Sequence, residues 1–325
     1  MKPLSIVAYY DGRPGHEKQT RGILNALTDI TSIEVDSIKV SIAPSVYLKN
    51  WITYLLPFFQ RLSQGKNFHS VDLIIGTGTH THIPMLMRKR QQRKLSKGNA
   101  RLVTCMTPDV LLRNKFDLCF IPIHDTPPLK KNIFITQGPP ATVNFEGRHK
   151  AEKGLILVGG IDKKSHIWKS EEIISQIEII FDKNPTLQWT VSSSPRTPEN
   201  TCKKLHEIAS GMKQVSFFRS EDTPAGWVEE QYALNQTVWV TADSISMVYE
   251  ALAAGCSVGI LPVDWLHPDN KFNKSLNFLS EEEMIVDFDA WQQGTSMPRQ
   301  KNEKFNESIR CAREILRRWW PERLQ

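Results

Sequence analysis

Residues 235–262 combine residue types that suit a site for a phosphate group. Residues 237–241 are β-branched and aromatic and predict a buried strand, after which Ala242-Asp243-Ser244 supplies short polar residues expected to cap a helix. A helix that begins there points unbonded N–H groups and a partial positive charge at an anion. Glu250 follows Ser244 by roughly 9 Å of helix, about the reach from a diphosphate to its ribose. The segment predicts a nucleotide-diphosphate site; an ordinary crossover helix with a solvated Glu250 is the alternative.

Two further segments in this half of the chain suit contacts with a diphosphate. Residues 154–160 predict a strand ending in two glycines, which would let the backbone approach a ligand without a Cβ in the way. Residues 187–198 predict a strand that runs into a hydroxyl-rich turn, whose arginine can hold phosphate oxygens bidentately. The predicted donor-site residues are Gly159, Gly160, Ser193, Ser194, Arg196, Asp243, Ser244, Ser246 and Glu250.

The turn Asp11-Gly-Arg-Pro-Gly-His16 follows a strand predicted at residues 4–10 and offers a catalytic base. Imidazole titrates near pH 6.5 when unperturbed, so His16 can accept a proton at neutral pH, and Asp11 can orient it or be the base itself. The alternative is that His16 only starts a helix. With Gly12 and Gly15 alone the turn is not a dinucleotide fingerprint, so NAD and ATP are disfavoured.

A second glycine-rich turn, residues 76–82, follows a strand predicted at residues 71–75. Two such turns predict a groove for a second ligand. His80 and His82 are two residues apart, which suits a metal on a strand, but they lack a nearby acidic or cysteine partner, so zinc is disfavoured and no metal site is predicted. The predicted acceptor-binding residues are Gly12, Gly15, Gly78, Thr79 and His80.

Three of these segments resemble one family. Asp11-Gly-Arg-Pro-Gly-His16 matches a hallmark of the bacterial relatives of the plant mitochondrial fission Elm family, which are regarded as candidate glycosyltransferases of the GT-B fold. Ser194-Pro-Arg-Thr-Pro198 is similar to a second family segment, and residues 241–255 resemble the nucleotide-sugar signature of GT-B enzymes. The resemblance spans roughly residues 5–320.

The resemblance implies an α/β protein with two Rossmann-like domains facing a central cleft, the GT-B type. The expected parts are an acceptor-binding domain at 1–138, a linker at 139–153, a nucleotide-sugar domain at 154–302, and a terminal helix at 303–325 that crosses back to the first domain. It implies sugar transfer from a nucleotide-diphosphate donor to a cell-envelope glycan such as a lipopolysaccharide or lipooligosaccharide core. His16 or Asp11 would be the base, with neither metal nor cofactor beyond the donor.

Other functions stay open at this point. A nucleotide-sugar 2-epimerase shares the GT-B architecture and would need acidic catalytic residues around the sugar. A non-catalytic scaffold is the third possibility, because the plant relatives act in organelle fission. Asp287-Phe-Asp289 is formally the pair of a metal-dependent transferase, but it lies beyond the nucleotide unit, where a final strand is expected.

Length and composition set the wider expectations. A chain of 325 residues is long enough for two cores, and 40% hydrophobic residues indicate a globular protein. The five cysteines form no C-x-x-C pair and are predicted to be reduced core residues. Because the amino-terminal segment lacks a signal-peptide pattern, the cytoplasm is the expected compartment. The predicted partners are a nucleotide-sugar donor and a glycan or glycolipid acceptor, with no nucleic acid.

Two segments suggest peripheral contact with the inner face of the cytoplasmic membrane. Residues 46–62 predict a helix whose aromatic stretch, 51–59, is too short to span a bilayer but could dip into the headgroups. Residues 88–101 carry seven lysines and arginines and no acid. Packing of the helix into its own domain and a solvated basic helix face are the ordinary alternatives.

Overall fold

The structure, a computed structural model, describes residues 1–56, 69–95, 98–143, 147–298 and 306–324. It divides into two compact units, the first comprising Met1–Thr142 with Asn306–Gln325 and the second Val143–Phe305. Each unit is built on its own six-stranded sheet, and all the strand pairs within these two sheets are parallel. The predicted α/β class with two Rossmann-like halves is confirmed. No helix in the described ranges is both long and apolar enough to cross a bilayer.

Strands alternate with helices over much of the chain, as expected for parallel sheets, although in the described residues five successive strands between residues 101 and 167 have no α-helix between them. The strands are β1 (Leu4–Tyr10), β2 (Ile33–Lys39), β3 (Leu73–Gly76), β4 (Arg101–Thr104), β5 (Leu118–Pro122), β6 (Ile133–Thr136), β7 (Lys150–Leu157), β8 (His166–Ile167), β9 (Gln188–Ser192), β10 (Val215–Phe218), β11 (Asn235–Thr241), β12 (Ser257–Leu261), β13 (Asp264–Trp265) and β14 (Ile285–Asp287). The helices are α1 (Pro14–Ile30), α2 (Pro44–Leu55), α3 (Thr79–Leu95), α4 (Ser170–Lys183), α5 (Glu199–Gly211), α6 (Trp227–Leu234), α7 (Ile245–Ala253), α8 (Lys271–Glu281), α9 (Phe288–Gln292) and α10 (Glu307–Trp319).

The first unit has the strand order β2-β1-β3-β4-β5-β6 and a hydrophobic core on each face of this sheet. On one face α1 and α10 bury residues such as Ile23 and Ile315. On the other, α2 and α3 bury residues such as Tyr54 and Leu86. The terminal helix α10 belongs to this unit: Ser308 Oγ donates to the Ala141 carbonyl at 2.6 Å.

The second unit has the strand order β10-β9-β7-β11-β12-β14. Two tryptophans fill its core beside glycines of neighbouring strands. A Cβ on Gly154 would lie 2.3 Å from Cζ3 of Trp189, and one on Gly259 would lie 2.5 Å from Cε3 of Trp239. These glycines therefore make room for the indole rings. The small pair β8 and β13 lies outside the main sheet.

The structure corrects two predicted boundaries. The linker predicted at 139–153 ends too late, because β7 begins at Lys150 and Gly154 lies inside the strand, where its missing Cβ accommodates Trp189. The strand predicted at 71–75 begins at Leu73, since the Val71 N–H bonds instead to Gln92 Oε1 at 3.1 Å.

The second glycine-rich turn is shorter than predicted. Helix α3 already begins at Thr79, so His80 and His82 are helical residues. Residues two apart on a helix point in different directions, which removes the geometry that a metal site on a strand would have. The helix predicted at 46–62 is α2, which ends at Leu55, and residues 57–62 lie outside the described residues.

Candidate functional site

In the second unit the carboxyl ends of three adjacent strands gather most of the predicted donor residues. Strands β9, β7 and β11 are neighbours, and the segments after them carry Arg196, Gly160 and Asp243. The three loops are joined by hydrogen bonds: Arg196 Nη2 donates to Asp243 Oδ2 at 2.8 Å, and the Gly160 N–H donates to the same oxygen at 3.1 Å. Carboxyl ends of parallel strands are where α/β folds bind ligands.

The two glycines after β7 lie against the protein's own loops. A Cβ on Gly159 would lie 2.3 Å from both carboxylate oxygens of Asp243, and one on Gly160 would lie 2.0 Å from the Arg196 carbonyl oxygen. The Gly159 N–H is already bonded to Thr241 Oγ1 at 2.7 Å. The space that the missing side chains leave is therefore filled by the protein's own loops.

Asp243 is the centre of this network. Its side chain is only 1% exposed, and it accepts hydrogen bonds from Thr241 Oγ1 at 2.7 Å and Ser244 Oγ at 3.3 Å besides those of Gly160 and Arg196. A buried carboxylate with this many donors is well satisfied. Asp243 therefore positions Arg196, whose guanidinium is partly exposed and is the group that can meet a ligand anion.

Helix α7 starts at the edge of the same network. Ser244 is its N-cap residue but makes no side-chain cap bond, contrary to the prediction that these residues cap the helix, because its hydroxyl donates to Asp243. The N–H groups of the first helical turn have no partners within the helix. Ser246 is exposed in that turn, so its hydroxyl and these N–H groups can face an anion.

Glu250 and Ser193 lie deeper than a direct ligand contact suggests. Glu250 is buried. The pKa of the Tyr232 phenol is raised well above its usual value, mainly because Tyr232 is itself buried and secondly because of the charge of Glu250. The Tyr232 hydroxyl also donates to the Met247 carbonyl at 3.2 Å. Ser193 Oγ accepts from the Ser220 N–H at 3.0 Å and so holds the loop after β10.

Three residues of this network were not predicted. They are Thr241, Thr197 and His166. Thr241 Oγ1 links Gly159 to Asp243, and the Thr197 hydroxyl lies beside Ser194 Oγ, which donates to the Gly159 carbonyl at 3.0 Å. His166 Nε2 lies 3.0 Å from the Gly160 carbonyl oxygen. Thr241 and Thr197 stand within two residues of predicted site residues, which is a usable signal. His166 offers no such signal, because it comes from the separate strand β8.

In the first unit, Asp11 and His16 form a hydrogen-bonded pair at the carboxyl end of β1. Asp11 Oδ2 lies 2.8 Å from His16 Nδ1; the Asp11 side chain is fully buried, whereas that of His16 is 25% exposed. The second carboxylate oxygen accepts from the Arg13 N–H at 3.2 Å. If Nδ1 donates to Asp11, the His16 Nε2 is the acceptor, which is the arrangement of an oriented general base.

Gly78 lies directly against this pair. Its φ is +108°, and a Cβ there would lie 2.3 Å from Asp11 Oδ2 and 2.5 Å from His16 Nδ1. Gly78 therefore makes room for the pair, and its contact with an acceptor stays a prediction. Gly12, also with a positive φ, donates its N–H to Glu17 Oε1 at 3.2 Å, while a Cβ on Gly15 would meet nothing within 4 Å.

Two histidines follow Gly78 on α3. The His80 ring packs edge-on against Tyr47 of α2, with the centroids 5.0 Å apart. His82 is fully buried next to Phe116, and burial together with the nearby His16 lowers its pKa to about 4. Thr79 begins the helix and is half-buried.

The part of the chain that the structure describes contains no cluster of three or more His, Cys, Asp or Glu side chains that could hold a metal ion. Asp287 and Asp289 flank the start of the short helix α9, where Asp287 is the N-cap residue and accepts from Ser280 Oγ at 3.0 Å.

Solved structures establish the class of fold. A UDP-N-acetylglucosamine 2-epimerase of Neisseria meningitidis bound to UDP-GlcNAc is similar with a TM-score of 0.50 at 12% identity, covering 97% of this chain and 100% of that one. A Listeria monocytogenes protein assigned to the same activity gives 0.53 at 13% identity, covering 97% and 95%. The glycotransferase of kitacinnamycin gives 0.48 at 11%, covering 98% and 96%. The likeness to the first two structures shows that the chain has the GT-B fold.

The family is established from the sequence. The family model described as mitochondrial fission ELM1 matches residues 14–319, nearly the whole chain. The protein therefore belongs to the mitochondrial fission ELM1 family, which confirms the resemblance found in its motifs. No curated protein matches the chain.

Proposed function

We propose that this protein is a glycosyltransferase that moves a sugar from a nucleotide-diphosphate donor to a cell-envelope glycan. The observation that carries the proposal is the Asp11–His16 pair, in which a buried carboxylate holds a partly exposed imidazole at 2.8 Å. The GT-B fold supports the nucleotide-sugar donor, and the ordered Arg196 beside the start of α7 supports a diphosphate group in the second unit.

The reaction divides between these groups. The acceptor hydroxyl loses its proton to His16 Nε2 as its oxygen forms a bond with the anomeric carbon, and the bond from that carbon to the diphosphate oxygen breaks. The nucleoside diphosphate leaves with the bonding electrons. Arg196 and the N–H groups of α7 stabilise the charge that develops on it, so we propose that the reaction needs no metal ion.

Gly12, Gly15, Thr79 and His80 surround the first turn of each of the helices α1 and α3, and we assign the acceptor to this part of the first unit. We propose that the acceptor is a lipid-linked glycan, a lipopolysaccharide or lipooligosaccharide core. The protein would then act on the inner face of the cytoplasmic membrane, bound to it peripherally.

A second candidate, a nucleotide-sugar 2-epimerase, is favoured by the fold likeness to two epimerases. The two reactions can be told apart at C2 of the sugar. An epimerase removes and restores the proton there, whereas a transferase leaves it in place. The test is incubation with UDP-, GDP-, ADP- and CDP-sugars in deuterium oxide, with and without a core oligosaccharide, followed by mass spectrometry and NMR.

A transferase releases nucleoside diphosphate in step with glycan extension and leaves C2 unlabelled. Deuterium at C2 without glycan extension would replace the proposal with the epimerase. If no nucleotide sugar binds or reacts, the protein is a scaffold of the kind that acts in organelle fission.

A further inference from the structure

One layer of the first unit carries an unusual surface. This layer consists of α2, α3 and the connection between β4 and β5. Their inner sides share one core, to which Tyr54, Leu86, Leu112 and Phe116 contribute. The opposite face of the sheet is covered by α1 and α10. The outer sides of the three segments therefore belong to the same face of the unit, which we call the α2–α3 layer.

Helix α2 is apolar on two sides. Tyr47, Trp51 and Tyr54 contact one another through their rings and face inward, with Tyr54 buried. One residue further on in each case, Leu48, Ile52 and Leu55 are exposed, Leu48 by 62% and Leu55 by 65%. Their i, i+4, i+7 spacing places them in one outward stripe. Trp51 and Tyr54, which are predicted to enter a membrane, thus face the core, and the aliphatic stripe faces outward. Phe58 and Phe59 lie outside the described residues.

The connection after β4 adds a second apolar group to the layer. Val110 and Leu111 are 78% and 80% exposed, although the next residue, Leu112, is buried in the core of the layer. Adjacent aliphatic side chains that both project from a loop are unfavourable in water unless something covers them. The two apolar groups flank α3, which is joined to α2 by the stacking of Arg90 on Tyr54 and to the connection by the ring contact of His82 with Phe116.

The charges of this region are mostly positive. Within α2, α3 and the connection between β4 and β5, the sequence holds eight lysines and arginines and two acids, Asp109 and Asp117. Three of the cations are occupied internally: Arg88 donates to the His69 carbonyl, Lys89 to Asp117 and Arg90 to the Tyr54 carbonyl. The basic run at 88–101 therefore presents fewer free positive charges at the surface than its composition predicts.

Exposed cations nevertheless remain on the layer itself. Arg93 and Lys94 lie in the last turn of α3 and Lys49 lies beside the stripe of α2, and all three are exposed. A second copy of the chain would bring the same charges against these, which disfavours self-association. A surface of aliphatic side chains among cations complements the headgroups and upper acyl chains of an anionic bilayer.

We propose that the α2–α3 layer is the surface by which the protein lies on an anionic membrane. Leu48, Ile52 and Leu55 enter the headgroup region on one side of α3, and Val110 and Leu111 enter it on the other. Arg93 and Lys94 hold anionic headgroups between them. The inference rests on the proposed function in that a lipid-linked acceptor requires such a surface. One kind of contact alone gives marginal binding, whereas the two together hold a protein reversibly.

The test is flotation of the full chain with phosphatidylcholine vesicles that contain or lack phosphatidylglycerol, at low and high salt. Wild type should float with the anionic vesicles at low salt only. The triple variant Leu48→Ser, Ile52→Ser, Leu55→Ser and the double variant Val110→Ser, Leu111→Ser should each bind about tenfold more weakly or worse. Arg93→Glu with Lys94→Glu should weaken binding by about a thousandfold, since each cation near the surface contributes about 1 kcal/mol and its reversal doubles the loss.

Matched controls come from the second unit. Ile167→Ser removes one exposed aliphatic side chain, and Lys203→Glu with Lys204→Glu reverses two adjacent exposed cations on α5; both should bind within twofold of wild type. If wild type does not float at low salt, or if the layer variants float as wild type does, the inference is wrong, and an acidic protein partner becomes the better occupant. Calorimetry of nucleoside diphosphate binding on the same proteins reports on the donor site separately, so a failure of the surface leaves the transferase proposal standing.

Discussion

Asp11 holds His16 in the first β-α turn: its buried carboxylate lies 2.8 Å from Nδ1 of a ring that is still partly exposed. The pair is built by local sequence, because strand β1 ends one residue before Asp11 and Pro14 starts α1 two residues before His16. A histidine oriented in this way has one nitrogen engaged and the other available for proton transfer.

Removal of either member of the pair should depress turnover without affecting the donor. We expect Asp11→Asn and His16→Gln each to lower kcat by about 100-fold or more, the usual contribution of a positioned base. Donor affinity, measured by calorimetry, should stay within about twofold, because the donor is assigned to the second unit. Near-normal turnover of His16→Gln would reduce His16 to a structural residue.

Gly78 should be intolerant of a side chain. Gly78→Ala places a Cβ at a φ of +108° and against both members of the pair, so we expect a loss of at least about 1 kcal/mol in the free energy of unfolding and loss of turnover. Urea unfolding and an activity assay measure the two effects. Gly15→Ala is the matched control, since its Cβ meets nothing within 4 Å and stability should be unchanged or slightly raised. A Gly78→Ala protein as stable as wild type contradicts the described packing.

His82 should make the protein less stable in mild acid. Its folded pKa is lowered to about 4, against about 6.5 when unfolded, so between these values the unfolded chain binds the extra proton. The contribution of the neutral His82 to the free energy of unfolding is fully present above pH 6.5 and is lost as the pH falls towards 4. The free energy of unfolding should therefore fall by about 2 kcal/mol between pH 7 and pH 5. Urea unfolding of wild type and His82→Leu at both pH values isolates this part. An equal pH dependence in the two proteins means that His82 is not buried as a neutral ring.

Glu250 is a test of how far the donor site extends. If its carboxylate holds the ribose, Glu250→Gln should weaken nucleoside diphosphate binding by about 1 to 3 kcal/mol. Tyr232→Phe is the control, because it removes the buried partner of Glu250 and leaves the carboxylate. If both variants only lower the melting temperature and neither changes the affinity in calorimetry, Glu250 serves the interior of the unit.

Local sequence was sufficient to predict the β-α-β unit around Glu250. Residues of β11 are β-branched and aromatic, α7 carries a 3.6-residue apolar stripe, and Gly255, with a φ of +81°, ends it before β12. The first βα turn was predicted in the same way. The β-α-β segment and the first βα turn both depend on short-range patterns, which are visible in the sequence alone.

Contacts between distant segments could not be predicted. The sequence predicts that Gly154 starts a strand after a linker, because nothing local shows that the ring of Trp189 lies over it. Asp243 was predicted to meet the ligand, whereas it accepts from Gly160 and Arg196, which are 83 and 47 residues away in the chain. The packing of three strands determines which carboxylate an arginine of another loop contacts. The spacing of residues in the sequence does not predict this contact.

The most direct test of the account is calorimetric titration of the full chain with UDP, GDP, ADP and CDP in excess chelator, in wild type and in Arg196→Ala. We expect one nucleoside diphosphate to bind without a metal ion and Arg196→Ala to weaken it by about tenfold or more, because a charged hydrogen bond to phosphate contributes about 1.5 to 3 kcal/mol. Arg219→Ala, which breaks an exposed ion pair with Glu199 in the same unit, should leave the affinity unchanged. Binding that appears only after manganese is added, or that Arg196→Ala leaves intact, would contradict the proposed site.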